Sequence, residues 1–179
     1  LDDGTDENQK VTRDYKLHLD TSHGAPMLSV FGGKLTTYRM LAQHAVDKIT
    51  GASKNRGWTE KSPLPGGDIE NGDIAAFIDK QKSVYGFLPE DVILRYARSY
   101  GTRMDILLQG IETLKGMGRD FGGGLYEAEI FYLINHEFAK SAEDILWRRS
   151  KLGLHLEKKT MLALEAAMPD YLKEMKAAS

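Results

Sequence analysis

From Val11 the chain alternates between apolar and polar side chains. Tyr15, Leu17 and Leu19 share one parity, and "TSHGAP" is followed by a second short apolar run, "MLSVF". Alternation with period two marks strands, and the Ser, Gly and Pro between the runs mark a turn, so residues 10–31 are predicted to form a β-hairpin. Arg13 breaks the pattern, standing in phase with the apolar set. It lies either at the exposed start of the strand or in a site. After Gly32 and Gly33 the period changes. Leu35, Tyr38, Leu41, Ala45 and Ile49 follow helical spacing, and Gly51 supplies a stop.

Residues 52–68 hold two prolines and three glycines without periodicity and are read as a linker from 53 to 68. Beyond it almost everything is predicted helical, over 73–85, 89–100, 103–114, 125–138, 142–149 and 157–177. Pro89 suits a first helical turn. Ser141 with Asp144 forms a capping pair. Pro169 is expected to break or restart the last helix. "KGMGRDFGGG" interrupts the series as a connecting loop, and there is no internal repeat. The expected fold class is mainly α: a helical bundle domain over 69–179 behind a β-hairpin and helix over 1–52.

Composition sharpens this picture at few points. The 179 residues are 41% hydrophobic and 28% charged, as in an ordinary globular protein. A net charge of −2 gives no global reason to expect nucleic acid, so anion binding would need a local site. With no cysteine there is no disulfide, thiolate metal site or thiol nucleophile. The start at Leu1 and the acidic opening "LDDGTDENQ" suggest an excised piece with a solvated loop in front.

The junction "VFGGKLTTYRM" is the main candidate for chemistry. An apolar strand end, two glycines and a lysine opening a helix are parts of an anion or cofactor cradle, since helix N-termini present unpaired N–H groups. The same letters can also form a plain tight turn. A P-loop is excluded, because Leu28 and Leu35 stand where it needs a glycine and a hydroxyl. "GMGRDFGGG" lacks dinucleotide-binding spacing. "HEFAK" at His136 lacks the second histidine of a zinc site, because Lys140 stands there. His18, His23, His44 and His155 show no ligand spacing and are read as surface or structural residues. "WRRSKLGLHLEKK" gathers Trp147, Arg148, Arg149, Lys151, Lys158 and Lys159. That cluster suits a helix C-terminus, with lipid headgroups or nucleic acid as the rival uses.

Taken together, "VTRDY", "LSVFGGKLTTYR", "LPGG", "DFGGGLYEAEIFYL" and "LWRRSKLGLH" resemble the C-terminal portion of the bacterial aerobic, FAD-dependent glycerol-3-phosphate dehydrogenases. The resemblance implies a hydride transfer from C2 of sn-glycerol 3-phosphate to FAD, giving dihydroxyacetone phosphate, with electrons passing on to membrane quinone. It makes residues 1–52 the C-terminal remnant of an α+β FAD/substrate-binding domain, and it places Gly32, Gly33, Lys34, Leu35 and Thr36 beside the flavin, Lys34 also at the substrate as the catalytic candidate, and Arg13 on the substrate phosphate. It further implies a cytoplasmic protein held peripherally at the inner membrane, a possible homodimer, and no nucleic-acid partner. The general base and dinucleotide fingerprint would lie upstream, so the chain alone is expected to be inactive with little affinity for FAD. The alternative reading is a helical interaction module for a protein or a membrane surface.

Overall fold

The structure is a computed structural model that describes residues 15–22, 24–51 and 58–178. Arg13, the start of the first predicted strand and part of the linker lie outside the described residues. The chain divides into two compact units, Leu1–Pro63 and Leu64–Ser179.

In the first unit, β1 (Tyr15–Asp20) pairs antiparallel with β2 (Met27–Gly32), and Tyr15 faces Gly32, Leu17 faces Val30 and Leu19 faces Leu28. The predicted alternation holds, with Tyr15, Leu17 and Leu19 half-buried and Lys16 and His18 exposed. Asp20 shapes the turn by accepting from the backbone N–H of Ser22 at 2.8 Å and from its hydroxyl at 2.5 Å, bonds that hold its carboxyl below the usual range. A 3-10 turn (Leu35–Thr37) leads into α1 (Tyr38–Thr50). Gly51 closes α1 in the left-handed region at φ 66°. The Lys48 ammonium donates to the Leu17 carbonyl at 2.9 Å, tying α1 to β1. A short helix, α2 (Trp58–Lys61), follows, and Thr59 links to Gln43 and Arg39 of α1. No described residue of this unit is fully buried.

The second unit is mainly helical and holds the core. Its helices are α3 (Ile74–Val84), α4 (Glu90–Tyr100), α5 (Met104–Leu107), α6 (Glu127–Glu137) and α7 (Lys158–Ala178). Asp73 caps α3 by accepting from the N–H groups of Ala75 and Ala76. Along α4, Val92, Ile93, Tyr96, Ala97 and Tyr100 form one buried stripe at helical spacing. They join Met104, Leu108, Ile130 and Leu133, with Leu164, Met168 and Tyr171 contributed by α7.

The glycines of "LPGG" belong to this packing. The Thr102 N–H donates to the Gly66 carbonyl at 3.1 Å, and a Cβ on Gly101 would sit 1.9 Å from that same oxygen. Gly66 and Gly101 therefore meet backbone to backbone at the C-terminal end of α4, a seat that leaves no room for a side chain on either residue.

Several expectations need correcting. The segment read as a connecting loop carries a second hairpin, β3 (Asp120–Gly122) with β4 (Leu125–Tyr126), so the second unit is not purely helical. Its run Gly122, Gly123, Gly124 has φ of 96°, 62° and 77°. A Cβ at Gly123 would meet Leu156 at 2.3 Å, and one at Gly124 would meet Val92 at 3.1 Å, so the run serves both the turn and the close packing. The helix predicted over 103–114 is only α5, because Gly110 at φ 74° turns the chain away. Residues Asp144–Arg149 wind as a π-helix, and the Ser150 N–H reaches back to the Ile145 carbonyl. Its capping pair forms as expected: the Ser141 hydroxyl accepts from the Asp144 N–H at 3.1 Å and donates to the Asp144 carboxylate at 3.0 Å. Pro169 does not break α7, which runs through it.

Candidate functional site

Two residues with positive φ, Gly32 at 79° and Gly33 at 101°, turn the chain from β2 toward α1. The second is held closely: a Cβ there would lie 2.8 Å from Leu41 Cδ1 and 3.9 Å from Tyr15 Cβ. Lys34 then returns to extended backbone at φ −128° and ψ 158°. Its N–H donates to the Thr37 hydroxyl at 3.0 Å, and that hydroxyl donates back to the Lys34 carbonyl at 3.0 Å. The first bond of the turn runs from the Thr37 N–H to the Lys34 carbonyl. The N–H groups of Leu35 and Thr36 precede it and have no helical acceptor. Thr37 is thus spent on the turn, whereas Thr36 is exposed.

The five residues read as a cradle, Gly32, Gly33, Lys34, Leu35 and Thr36, are contiguous and all exposed. The Lys34 ammonium makes no hydrogen bond or ion pair among the described residues. Leu35 is 89% exposed, with Phe31 and Tyr38 about half exposed on either side. Leu35 thus stands uncovered beside two residues without side chains and a cation that has no partner among the described residues. Arg13, the other predicted site residue, lies outside the described residues.

Sequence reading missed the partner of this turn. Tyr15 and His44 are 29 positions apart, and their hydroxyl and Nδ1 lie 2.5 Å from one another with ring centroids 5.8 Å apart. The histidine read as a lone surface or structural residue is therefore the tyrosine's partner. Only the hairpin register and the pitch of α1 bring the two together, and no local spacing announces that.

The second unit holds a buried ionic centre that sequence reading also missed. Glu129, with no exposed surface, accepts from both terminal nitrogens of Arg95 at 2.5 and 2.7 Å and from the Tyr100 hydroxyl at 2.5 Å. Arg95 also donates to the Gly124 carbonyl at 2.7 Å and lies over the Tyr96 ring at 4.7 Å. Burial, reinforced by the Glu129 charge, pushes the Tyr96 and Tyr100 hydroxyls upward, so both stay neutral. A bidentate arginine that also ties down the glycine turn is a packing device. The "WRRSKLGLH" cluster is occupied as well. Arg148 pairs with Glu143 and Asp144, Arg149 Nε donates to the Glu137 carbonyl, Lys151 reaches the Trp147 carbonyl, and the Trp147 ring packs so close to Gly153 that a Cβ there would lie 2.5 Å from it. A shallow cleft of about 280 Å³ runs along α6, floored by Met117 and Phe131 with Glu127 and His136 on its rim. No described helix is long and apolar enough to cross a membrane.

The geometry defines a mainly helical domain preceded in the chain by a hairpin-and-helix segment with an exposed glycine-glycine-lysine turn. Residues 58–177 match the family model described as the C-terminal domain of alpha-glycerophosphate oxidase, and the chain belongs to that family. Among curated proteins it is 48% identical to the aerobic glycerol-3-phosphate dehydrogenase of Escherichia coli and 49% identical to the glycerol-3-phosphate dehydrogenase of Pseudomonas aeruginosa. Each alignment covers 87% of the chain and 31% of the relative. It is 45% identical to the D-erythritol 1-phosphate dehydrogenase of Brucella abortus, over 87% of the chain and 32% of the relative. The chain therefore spans about a third of the length of the curated relatives it matches.

Proposed function

We propose that this chain is the C-terminal part of a flavoprotein that oxidises sn-glycerol 3-phosphate to dihydroxyacetone phosphate and delivers the electrons to quinone at the inner membrane. The observation that carries the reading is the exposed turn Gly32–Gly33–Lys34, whose ammonium has no partner among the described residues, in a chain 45–49% identical to dehydrogenases of polyol phosphates. The residues present fit FAD as the cofactor. Two glycines without side chains allow close approach of a ring, Leu35 offers an apolar contact, and the N–H groups of Leu35 and Thr36 with Lys34 suit the ring edge that gains negative charge on reduction. FAD, when bound, supplies the hydride acceptor.

This chain's own residues would hold and polarise. Lys34 sets a fixed positive charge where negative charge develops and reaches the substrate, a preorganised effect comparable to one oxyanion-hole donor. Arg13 would grip the substrate phosphate with its planar fork, leaving C2 of the polyol to be placed by contacts elsewhere in the protein. Cytoplasmic location, peripheral membrane attachment and a homodimer belong to the same reading.

The test is Lys34→Ala in the full-length protein that carries this chain. Turnover with glycerol 3-phosphate should fall about 100-fold, while bound flavin, read from its visible absorption, stays at the level of the parent. Unchanged turnover would defeat the reading. Running D-erythritol 1-phosphate beside glycerol 3-phosphate in the parent protein decides between the two substrates named among the relatives, with the higher kcat/KM expected for glycerol 3-phosphate.

A further inference from the structure

We propose that Tyr15 and His44 form a positioning pair that fixes the Gly32–Gly33 turn against α1 and thereby aims Lys34. This rests on the reading of Lys34 given above. Tyr15 opens β1 and lies directly across from Gly32, the first residue of the turn. Gly33 sits between the Tyr15 side chain and Leu41 of α1, and His44 stands one helical turn beyond Leu41. The bond between the Tyr15 hydroxyl and His44 Nδ1 adds a polar link between the same strand and the same helix. Which partner donates is set by the imidazole tautomer: a ring carrying its hydrogen on Nε2 accepts from the hydroxyl at Nδ1.

A second tether runs in step with the first. His44 and Lys48 are four residues apart on α1, and their partners, Tyr15 and Leu17, are two apart on β1. Four helical residues rise about 6 Å and two strand residues about 6.6 Å. The helix is therefore pinned to the strand at two points that fix both its height and its rotation. Lys34 opens the turn into that helix, so its direction follows from theirs. The pair is too exposed to carry much stability, since a hydrogen bond within reach of water contributes little net. Its effect is on geometry.

The experiment combines Tyr15→Phe, His44→Ala and His44→Asn with Lys34→Ala in the full-length flavoprotein. Tyr15→Phe and His44→Ala should each lower kcat about 5- to 20-fold with KM within about twofold. His44→Asn should restore most of it, because its amide oxygen can stand where Nδ1 stood. An independent readout is amide hydrogen exchange in flavin-free protein. The amides of Lys34 and Thr37, which are hydrogen-bonded within the turn, should exchange about threefold faster in Tyr15→Phe, and α6 should not change. In the Lys34→Ala background, Tyr15→Phe should cost no further turnover. Unchanged exchange, or a full Tyr15→Phe loss that persists without Lys34, overturns the positioning role alone. Unchanged turnover in Lys34→Ala overturns the functional reading and the pair's role with it.

Discussion

Glu129 shows how much one side chain can demand of its surroundings. Its carboxylate has no exposed surface, yet three donated hydrogen bonds from Arg95 and Tyr100 replace the water it has lost. Removing one partner of such a pair costs far more than the pair contributes, because the remaining charge is left buried. Arg95→Met should accordingly destabilise the protein by about 3–5 kcal/mol, measured by urea unfolding. The double variant Arg95→Met with Glu129→Met should recover a large part of that loss. A double variant as unstable as the sum of the two singles would show that the charges are not coupled. Neither residue could be singled out from sequence, since 34 positions separate them and each looks like an ordinary surface charge on an amphipathic helix. Lys34 could be flagged for the opposite reason. It sits in a contiguous strand–turn–helix junction that spacing marks, although spacing alone left a plain tight turn equally open and only the resemblance gave the lysine its ligands.

At the scale of elements the same distinction holds. The first hairpin and α1 could be read from their periods and from Gly51, because each signal is local. The second hairpin could not, since strands of three and two residues carry no periodicity. Its glycines make sense only once α4 and Leu156 press on them. Gly66 and Gly101 are a further case: two turn residues in sequence become one contact in the fold. Pro169 is the reverse, a strong local breaker overruled by packing, with Leu164, Met168 and Tyr171 anchoring α7 on both sides of it. The Tyr171 hydroxyl donates to Glu127 at 2.7 Å, and its ring meets Phe131 at 5.1 Å. The proline itself is exposed and still removes an intrahelical hydrogen bond. Pro169→Ala should therefore stabilise the protein by about 1–3 kcal/mol, seen as a rise in Tm. A fall would mean that the proline sets a bend on which the contacts of Tyr171 depend.

For the whole molecule, the contrast lies in where the apolar surface goes. The second unit hides 25 hydrophobic residues in one cluster, enough core for a domain of its size to fold by itself. Among its described residues the first unit buries none completely and leaves Leu35, Ile49, Met27 and Trp58 between 59% and 89% exposed. Surface of that kind is what the remainder of a larger ligand-binding domain would cover in the longer proteins this chain matches. Residues 64–179 expressed alone should then melt cooperatively, while the hairpin and α1 in the 179-residue chain should show little protection against hydrogen exchange. The same reasoning sets the expected cofactor affinity. A cradle touching one edge of a flavin supplies a small share of the contacts that repay the loss of translational freedom on binding. The 179-residue chain should bind FAD no more tightly than about 100 μM, well short of a specific flavoprotein site. Quenching of flavin fluorescence on titration measures this directly. Submicromolar binding, or reduction of a dye on adding glycerol 3-phosphate, would show that the exposed turn and its neighbours form a complete site, and that the uncovered apolar face belongs to the ligand itself.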